Sequence, residues 1–225
     1  MTLARHGDDI RGLCAIVYLD MIISMSILLS ISFKFIFLFA PFFVVSMFLS
    51  LTRTDTRKTR QSIANRAVFA ALCISLILFF FGAQLFEVLG ITLDSFRIGA
   101  GILLFLSGVS LVRDGVRANA EVPNEQRDDI SVVPLAIPTI IGPASIGAIL
   151  VYGAELEGID MVFGVIGLLL ALLFLLACLH LASWLEKILG RTGLNVLSKV
   201  TGLVLAAMAS QIILTGIHGF MTSMG

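Results

Sequence analysis

Within a long apolar run, Gly142-Pro143-Ala144-Ser145 is the stretch of this sequence best suited to hold a ligand. Proline has no N–H to give a helix and clashes with the turn before it. The glycine ahead of it loosens the backbone further. A helix that starts at Pro143 leaves the N–H groups of Ala144, Ser145 and Ile146 without intrahelical partners. Such a helix end carries partial positive charge and favours a carboxylate. The chemistry expected is recognition of an amino acid or another carboxylate, with the Ser145 hydroxyl as an auxiliary contact. Pro134 and Pro138 precede this stretch, and Pro41 interrupts a second apolar run far upstream. The competing reading is a kinked helix that serves packing alone, since proline is common in membrane helices.

Other polar residues inside apolar stretches are few: Gln84, His180, Ser210 and Gln211. Polar groups at depth are candidates for function. His180 is the side chain suited to relay a proton, but Trp184, an interfacial residue type, follows one helical turn later. No acidic residue lies at the centre of a core apolar run, which argues against a carboxylate-driven pump. Ser145 is not the serine of a GxSxG elbow, because Pro143 stands two residues before it. A Ser145–His180 dyad would make an intramembrane hydrolase, and no other motif supports one. HExxH, a phosphate-binding glycine loop and paired carboxylates are absent from the apolar runs. Cys14, Cys73 and Cys178 are scattered singly, without CxxC or metal-ligand spacing. The chain is therefore read as a non-enzyme with no metal site and no cofactor, and coupling to H+ or Na+ stays open.

The element that must position these residues is a set of membrane helices. Hydrophobic residues make up 58% and charged residues 13% of the 225, against about 45–50% and about 25% in soluble domains. Mean hydropathy is +1.05. Charge-free runs cover 67–86, 98–112, 131–154, 161–185 and 200–225, and most reach the roughly 20 residues that cross a hydrocarbon core. The run 98–112 is shorter, but Arg97 and Arg113 flank it and can snorkel. None of these runs shows the alternation of a barrel strand, so they are read as helices. Basic residues gather on alternate connections: Arg53, Arg57, Lys58, Arg60 and Arg66, then Arg113, Arg117 and Arg127, then Lys187, Arg191 and Lys199. By the positive-inside rule these face the cytoplasm and the C-terminus faces outward. They mark orientation, not a nucleic-acid site, because no folded domain presents them.

The chain also repeats itself. Leu85 to Thr92 reads LFEVLGIT and Leu185 to Thr192 reads LEKILGRT, each followed by a basic residue (Arg97, Lys199) and an apolar run. The offset from Pro41 to Pro143 equals that from Arg97 to Lys199, and Gly90 and Gly190 agree with it to within two residues. Three spans per copy is an odd number, so a tandem duplication inserts its second half upside down, and substrate sites form where such halves meet. The expected fold is an all-α polytopic membrane protein of six transmembrane helices as two inverted three-helix repeats, with or without one extra N-terminal hydrophobic segment. Its divisions are 1–34, an N-terminal extension; 35–113, the first repeat; 114–130, a cytoplasmic linker; and 131–220, the second repeat. In the N-terminal region Lys34 interrupts the apolar run. An extra span, one long bent first helix, and a true start at Met21 or Met25 are equally weighted readings. The small residues Gly99, Ala100, Gly101 and Gly108, and Gly202, Ala206, Ala207, Ala209 and Ser210, are expected to serve tight helix packing.

Residues Asp94-Ser95-Phe96-Arg97-Ile98-Gly99-Ala100-Gly101-Ile102-Leu103-Leu104-Phe105 and Val133-Pro134-Leu135-Ala136-Ile137-Pro138 through Gly142-Pro143 resemble the two signatures of the MarC family of bacterial inner-membrane proteins. The ending Gly193-Leu194-Asn195 through Met208, Ser210, Gln211 and Gly216 is similar too, and the resemblance covers about residues 35–220. It implies six spans, kinship to small neutral amino-acid transporters and a distant link to LysE-type exporters. The family's first span usually carries Asn-Pro-x-Gly-Asn-x-Pro. Here Ala40-Pro41-Phe42-Phe43-Val44-Val45-Ser46 keeps only the first proline. Members start about twenty residues before that proline, which favours Met21 or Met25. The function expected is transport of small neutral amino acids or similar solutes in the bacterial inner membrane. Substrate would bind at Pro41, Pro138, Gly142, Pro143, Ala144 and Ser145 near the midplane. The alternative is a non-transporting membrane scaffold or partner subunit. The expected partners are the lipid bilayer and a small-molecule solute, with no nucleic acid; the sequence does not fix the oligomeric state.

Overall fold

The computed structural model describes residues 24–53, 55–114, 140–156 and 158–224. Every regular element among them is a helix: α1 (24–38), α2 (Pro41–Leu51), α3 (Arg57–Leu89), α4 (Leu93–Asp114), α5 (Pro143–Glu155), α6 (Ile159–His180) and α7 (Ala182–Met224). Five segments are long and apolar enough to span a membrane: Ser24–Leu51, Arg57–Gly82, Leu93–Arg113, Ile159–His180 and Ala182–Ser223. The chain is thus an all-helical polytopic membrane protein. A sixth span would need α5, which has 13 residues, extended through 131–139, and those lie outside the described residues. The linker expected at 114–130 lies almost wholly outside them as well.

Lys34 does not break the first helix, which runs through it to 38. Its ammonium lies 5.6 Å from the centre of the Tyr152 ring, a cation–π contact that makes a cation acceptable beside α5. The first span bends instead at Ala40, which stands before Pro41 in the left-handed region (φ 44°, ψ 61°). It is the one non-glycine residue with positive φ among those described, a conformation costing roughly 1–2 kcal/mol for an L-residue.

Most of the basic residues expected on loops sit on helices instead. Arg57, Lys58, Arg60 and Arg66 belong to the first turns of α3 and Lys199 to α7, whereas Lys187 and Arg191 flank Gly190, whose non-helical backbone (φ 64°, ψ 174°) divides α7 in two. Thr56 caps α3 by accepting from the Thr59 N–H at 3.4 Å, and Arg, Lys and Gln are good helix formers. At 33 residues α3 is about 50 Å long, so its basic start projects past a core of roughly 30 Å.

The helices are sewn together by close backbone approaches. Helix α4 runs antiparallel to α7. A Cβ on Gly108 would lie 2.7 Å from the Gly202 carbonyl oxygen, one on Gly101 2.5 Å from Ile213, and one on Gly216 2.7 Å from the Asp94 carbonyl oxygen. In lipid, where apolar side chains gain nothing by leaving solvent, such contact is what drives association. Helix α5 is held likewise: a Cβ on Gly147 would meet Ala100 of α4, one on Gly153 would strike the Phe79 carbonyl of α3, and one on Gly82 of α3 would meet Leu150. Phe35 of α1 packs edge-on against both Phe79 (6.5 Å between centroids) and Tyr152 (5.5 Å). The small residues are therefore packing devices at Gly101, Gly108 and Gly202, whereas Gly99 faces open space.

This difference sets a prediction. Gly108→Val should cost about 1–3 kcal/mol by overpacking the α4–α7 contact and lower the detergent-solubilised Tm. Gly99→Ala should stay within about 0.5 kcal/mol of the parent. Equal melting of the two variants would contradict the packing role.

Candidate functional site

Two helices start without the backbone that should precede them. Pro41 is the first residue of α2 and Pro143 the first of α5, and neither start is capped by a side chain. Ahead of Pro143, Ile141 and Gly142 lie outside any helix, with Gly142 extended (φ −84°, ψ 172°). The two helices point in opposite directions. The end of α2 meets the start of α3, where Arg60 Nε donates to the Thr52 carbonyl at 2.9 Å. The end of α5 meets the start of α4, where Arg97 Nε donates to Glu155 Oε1 at 2.8 Å. With 11 and 13 residues, α2 and α5 are about 16 and 20 Å long. Each therefore reaches from one end of the bundle to roughly its middle.

The backbone donors at these starts can be followed one by one. The Val44 N–H reaches the Ala40 carbonyl at 3.1 Å, and the Ile146 N–H reaches the Gly142 carbonyl at 2.9 Å. Ile146 is thus not a free donor, contrary to the sequence reading, because the residue capping a helix already accepts the first intrahelical bond through its carbonyl. At the first start Phe42 and Phe43 remain, without an acceptor among the described residues, and at the second Ala144 and Ser145. The N–H groups of Ala144 and Ser145 have no acceptor among the described residues either, yet the two residues are only 6% and 7% exposed. An unpaired buried amide costs about 1–3 kcal/mol, so these donors call for an acceptor.

The surroundings of the two breaks differ. Pro41, Ala40, Phe43, Val44 and Val45 are buried and offer no side-chain polarity. Around the second break, Ile140, Ile141 and Ala144 are buried beside Ser145, while Pro143 is exposed. Ala40, Phe43 and Val44 belong to the same continuous apolar core as Ile140, Ile141 and Ala144. Pro138 lies outside the described residues.

Other sequence candidates fall away from this core. His180 ends α6, is exposed, and contacts the Leu176 carbonyl at 3.0 Å. It sits near Trp184 at the end of the bundle, in a position for the headgroup region. Gln84 and Gln211 are exposed. The Ser210 hydroxyl donates to the Ala206 carbonyl at 2.9 Å, within its own helix. Three features escaped the sequence reading. Arg97 binds both Asp94 and Glu155, and so ties α4 to α5; the Asp94–Arg97 spacing of three was the visible signal. Arg60 donates to the Thr52 and Arg53 carbonyls and to Ser183 Oγ at 3.4 Å. Ser75 of α3 is fully buried, and its Oγ has no partner among the described residues; nothing in the sequence set it apart from other serines in membrane helices.

The match to known proteins covers almost all of this architecture. A model described as MarC family integral membrane protein matches residues 25–221. The UPF0056 membrane protein YhcE of Escherichia coli (strain K12) is 35% identical over 199 residues, 82% of this chain and 90% of its own length. The UPF0056 membrane protein MJ1677 of Methanocaldococcus jannaschii is 37% identical over 185 residues, 80% and 90% of the two chains. The UPF0056 membrane protein YvbG of Bacillus subtilis (strain 168) is 31% identical over 197 residues, 82% and 92%. No solved structure matches the chain. A family match running from the first described helix almost to the end of the last, with relatives this similar over four-fifths of the chain, means that the protein belongs to the MarC family of integral membrane proteins.

Proposed function

We propose that this MarC-family chain is a transporter for small neutral amino acids or similar solutes. The substrate carboxylate would accept from the N–H groups of Ala144 and Ser145 at the start of α5. The observation that carries the reading is that pair of buried donors, without an acceptor among the described residues and beside the Ser145 hydroxyl, at a helix start about halfway through the bundle. Such half-helix starts suit anionic substrate groups in transporters. The Ser145 hydroxyl would serve as an auxiliary contact. The reading involves no covalent chemistry, and the protein is proposed not to be an enzyme.

The reading includes an inverted duplication, which the following features support. Helices α2 and α5 start at matched prolines and run in opposite directions. Gly90 and Gly190 both adopt left-handed φ, 63° and 64°. Exchanging α2 with α5 and α3 with α6 turns the α2–α6 contact into the α5–α3 contact. Exchanging α4 with the part of α7 beyond Gly190 turns the α2–α7 contact into the α5–α4 contact. Six spans follow if 131–142 leads into α5 from the basic end. Charge supports an orientation with that end in the cytoplasm, because Arg97, at the opposite end, is paired with two acids.

The first break favours a second reading, a membrane scaffold or partner subunit that does not transport. Its lining is wholly apolar, so half of a two-sided site offers a ligand no side-chain polarity. Co-purification of a stoichiometric partner, with no uptake of any solute, would support that reading over transport.

Two experiments follow. In proteoliposomes with an imposed proton or sodium gradient, the parent should accumulate labelled glycine, alanine or serine. Pro143→Ala should abolish this, because a continuous helix would give the Ala144 and Ser145 donors upstream carbonyls. Ser145→Ala should weaken affinity only about 2- to 10-fold, the value of one neutral hydrogen bond. Uptake by Pro143→Ala equal to the parent's would overturn the site, and complete loss with Ser145→Ala would point to a nucleophilic serine. For orientation, a cysteine replacing Thr222 should react with an impermeant maleimide in intact cells, in a background lacking Cys14, Cys73 and Cys178. One replacing Lys58 should react only after lysis, and the reverse pattern would refute the orientation.

A further inference from the structure

At the basic end of the bundle the α2–α3 turn faces the α6–α7 turn across a cleft of about 700 Å³. Its charged lining is Arg57, Arg60 and Lys187 against one carboxylate, Asp55, with His180 beside them. Arg60 is held by the Thr52 and Arg53 carbonyls and by Ser183, so its position is fixed. Arg57 on α3 and Lys187 on α7 stand exposed on facing helices, and neither has an ion pair or side-chain hydrogen bond among the described residues. Three cations gathered on one concave surface repel one another unless an anion sits between them.

We propose that this cleft holds the headgroup of an anionic phospholipid, with Arg57 and Lys187 as its phosphate ligands. Basic pockets between helices at a membrane surface recognise such headgroups. Two observations favour a lipid over a free phosphate. Trp184 and Leu181, which also line the cleft, are 57% and 51% exposed. They give the cleft an apolar, aromatic rim of the kind found at headgroup level, where acyl chains would leave. The volume also exceeds what a lone phosphate needs and falls within the range of sites for larger ligands. The site is separate from the break at Pro143 and does not depend on the transport reading.

The test is native mass spectrometry of the full chain from neutral detergent, with equal amounts of phosphatidylglycerol and phosphatidylcholine of matched acyl chains. Phosphatidylglycerol should be retained at least about tenfold better. Arg57→Gln with Lys187→Gln should reduce its retention roughly thirtyfold, the factor for removing two surface cations. Arg66→Gln with Arg113→Gln, the same loss of charge outside the cleft, should leave retention within about threefold of the parent's. Both pairs lie on exposed positions, and monodispersity before spraying checks folding. Equal retention of the two lipids, or an equal fall in the control pair, would overturn the proposal. Displacement of the lipid by an equimolar amount of inorganic phosphate would also overturn it, by assigning the cleft to a soluble anion.

Discussion

A peptide N–H inside a bilayer has no water to bond, and this constraint organises the structure. Continuous helices satisfy their own backbone, and α3, α4 and α6 do so along their apolar stretches. Among the described residues proline removes that solution at two points. At each, the chain must either bury unpaired donors or supply something to receive them. At Pro41 the chain adopts a strained left-handed Ala40 and surrounds it with Phe43, Val44 and Val45. At both starts two N–H groups, those of Phe42 and Phe43 and those of Ala144 and Ser145, have no acceptor among the described residues, and the second pair stands beside the Ser145 hydroxyl. The same break thus has different consequences in the two places.

Breaks of this kind persist only if the rest of the protein resists closing them. Two devices do so here. Glycine contacts lock α5 to α3 and to α4, and α4 to α7, so that α5 cannot slide to find new partners. Arginines anchor the far ends, Arg60 on the terminal carbonyls of α2 and Arg97 on Glu155 at the end of α5. Arg97 also pairs with Asp94, whose side chain lies on Gly219 of α7. One ionic cluster therefore touches three helices at the end of the bundle opposite the basic cleft.

Much of this was legible in the sequence because the relevant signals are local. Proline at a helix start, glycine at a turn and charge-free length each have one dominant structural meaning. Pro41, Pro143, Gly90 and Gly190 all punctuate helices as expected. Helix ends were less legible. In the sequence charge marks loops, yet Arg57 to Arg66 continue α3 because the residues are good helix formers and Thr56 caps the start. In the sequence Lys34 reads as an interruption, because the ring of Tyr152 that accommodates it lies far along the chain. The sequence offers three free donors after Pro143, but the Gly142 carbonyl accepts the Ile146 N–H and leaves two. Tertiary facts such as the Arg60 anchor and the unpartnered Ser75 hydroxyl have no sequence signature at all.

The central claim is that two backbone amides recognise a carboxylate, and it can be observed without transport. The amide proton shifts of Ala144 and Ser145 would be followed by NMR in isotope-labelled protein as alanine is added, beside alaninol, which keeps the amine and side chain but lacks the carboxylate. The account predicts that both amide protons move downfield with alanine, saturably, and hold still with alaninol. Shifts that are absent with alanine, or equal with the two compounds, would contradict it.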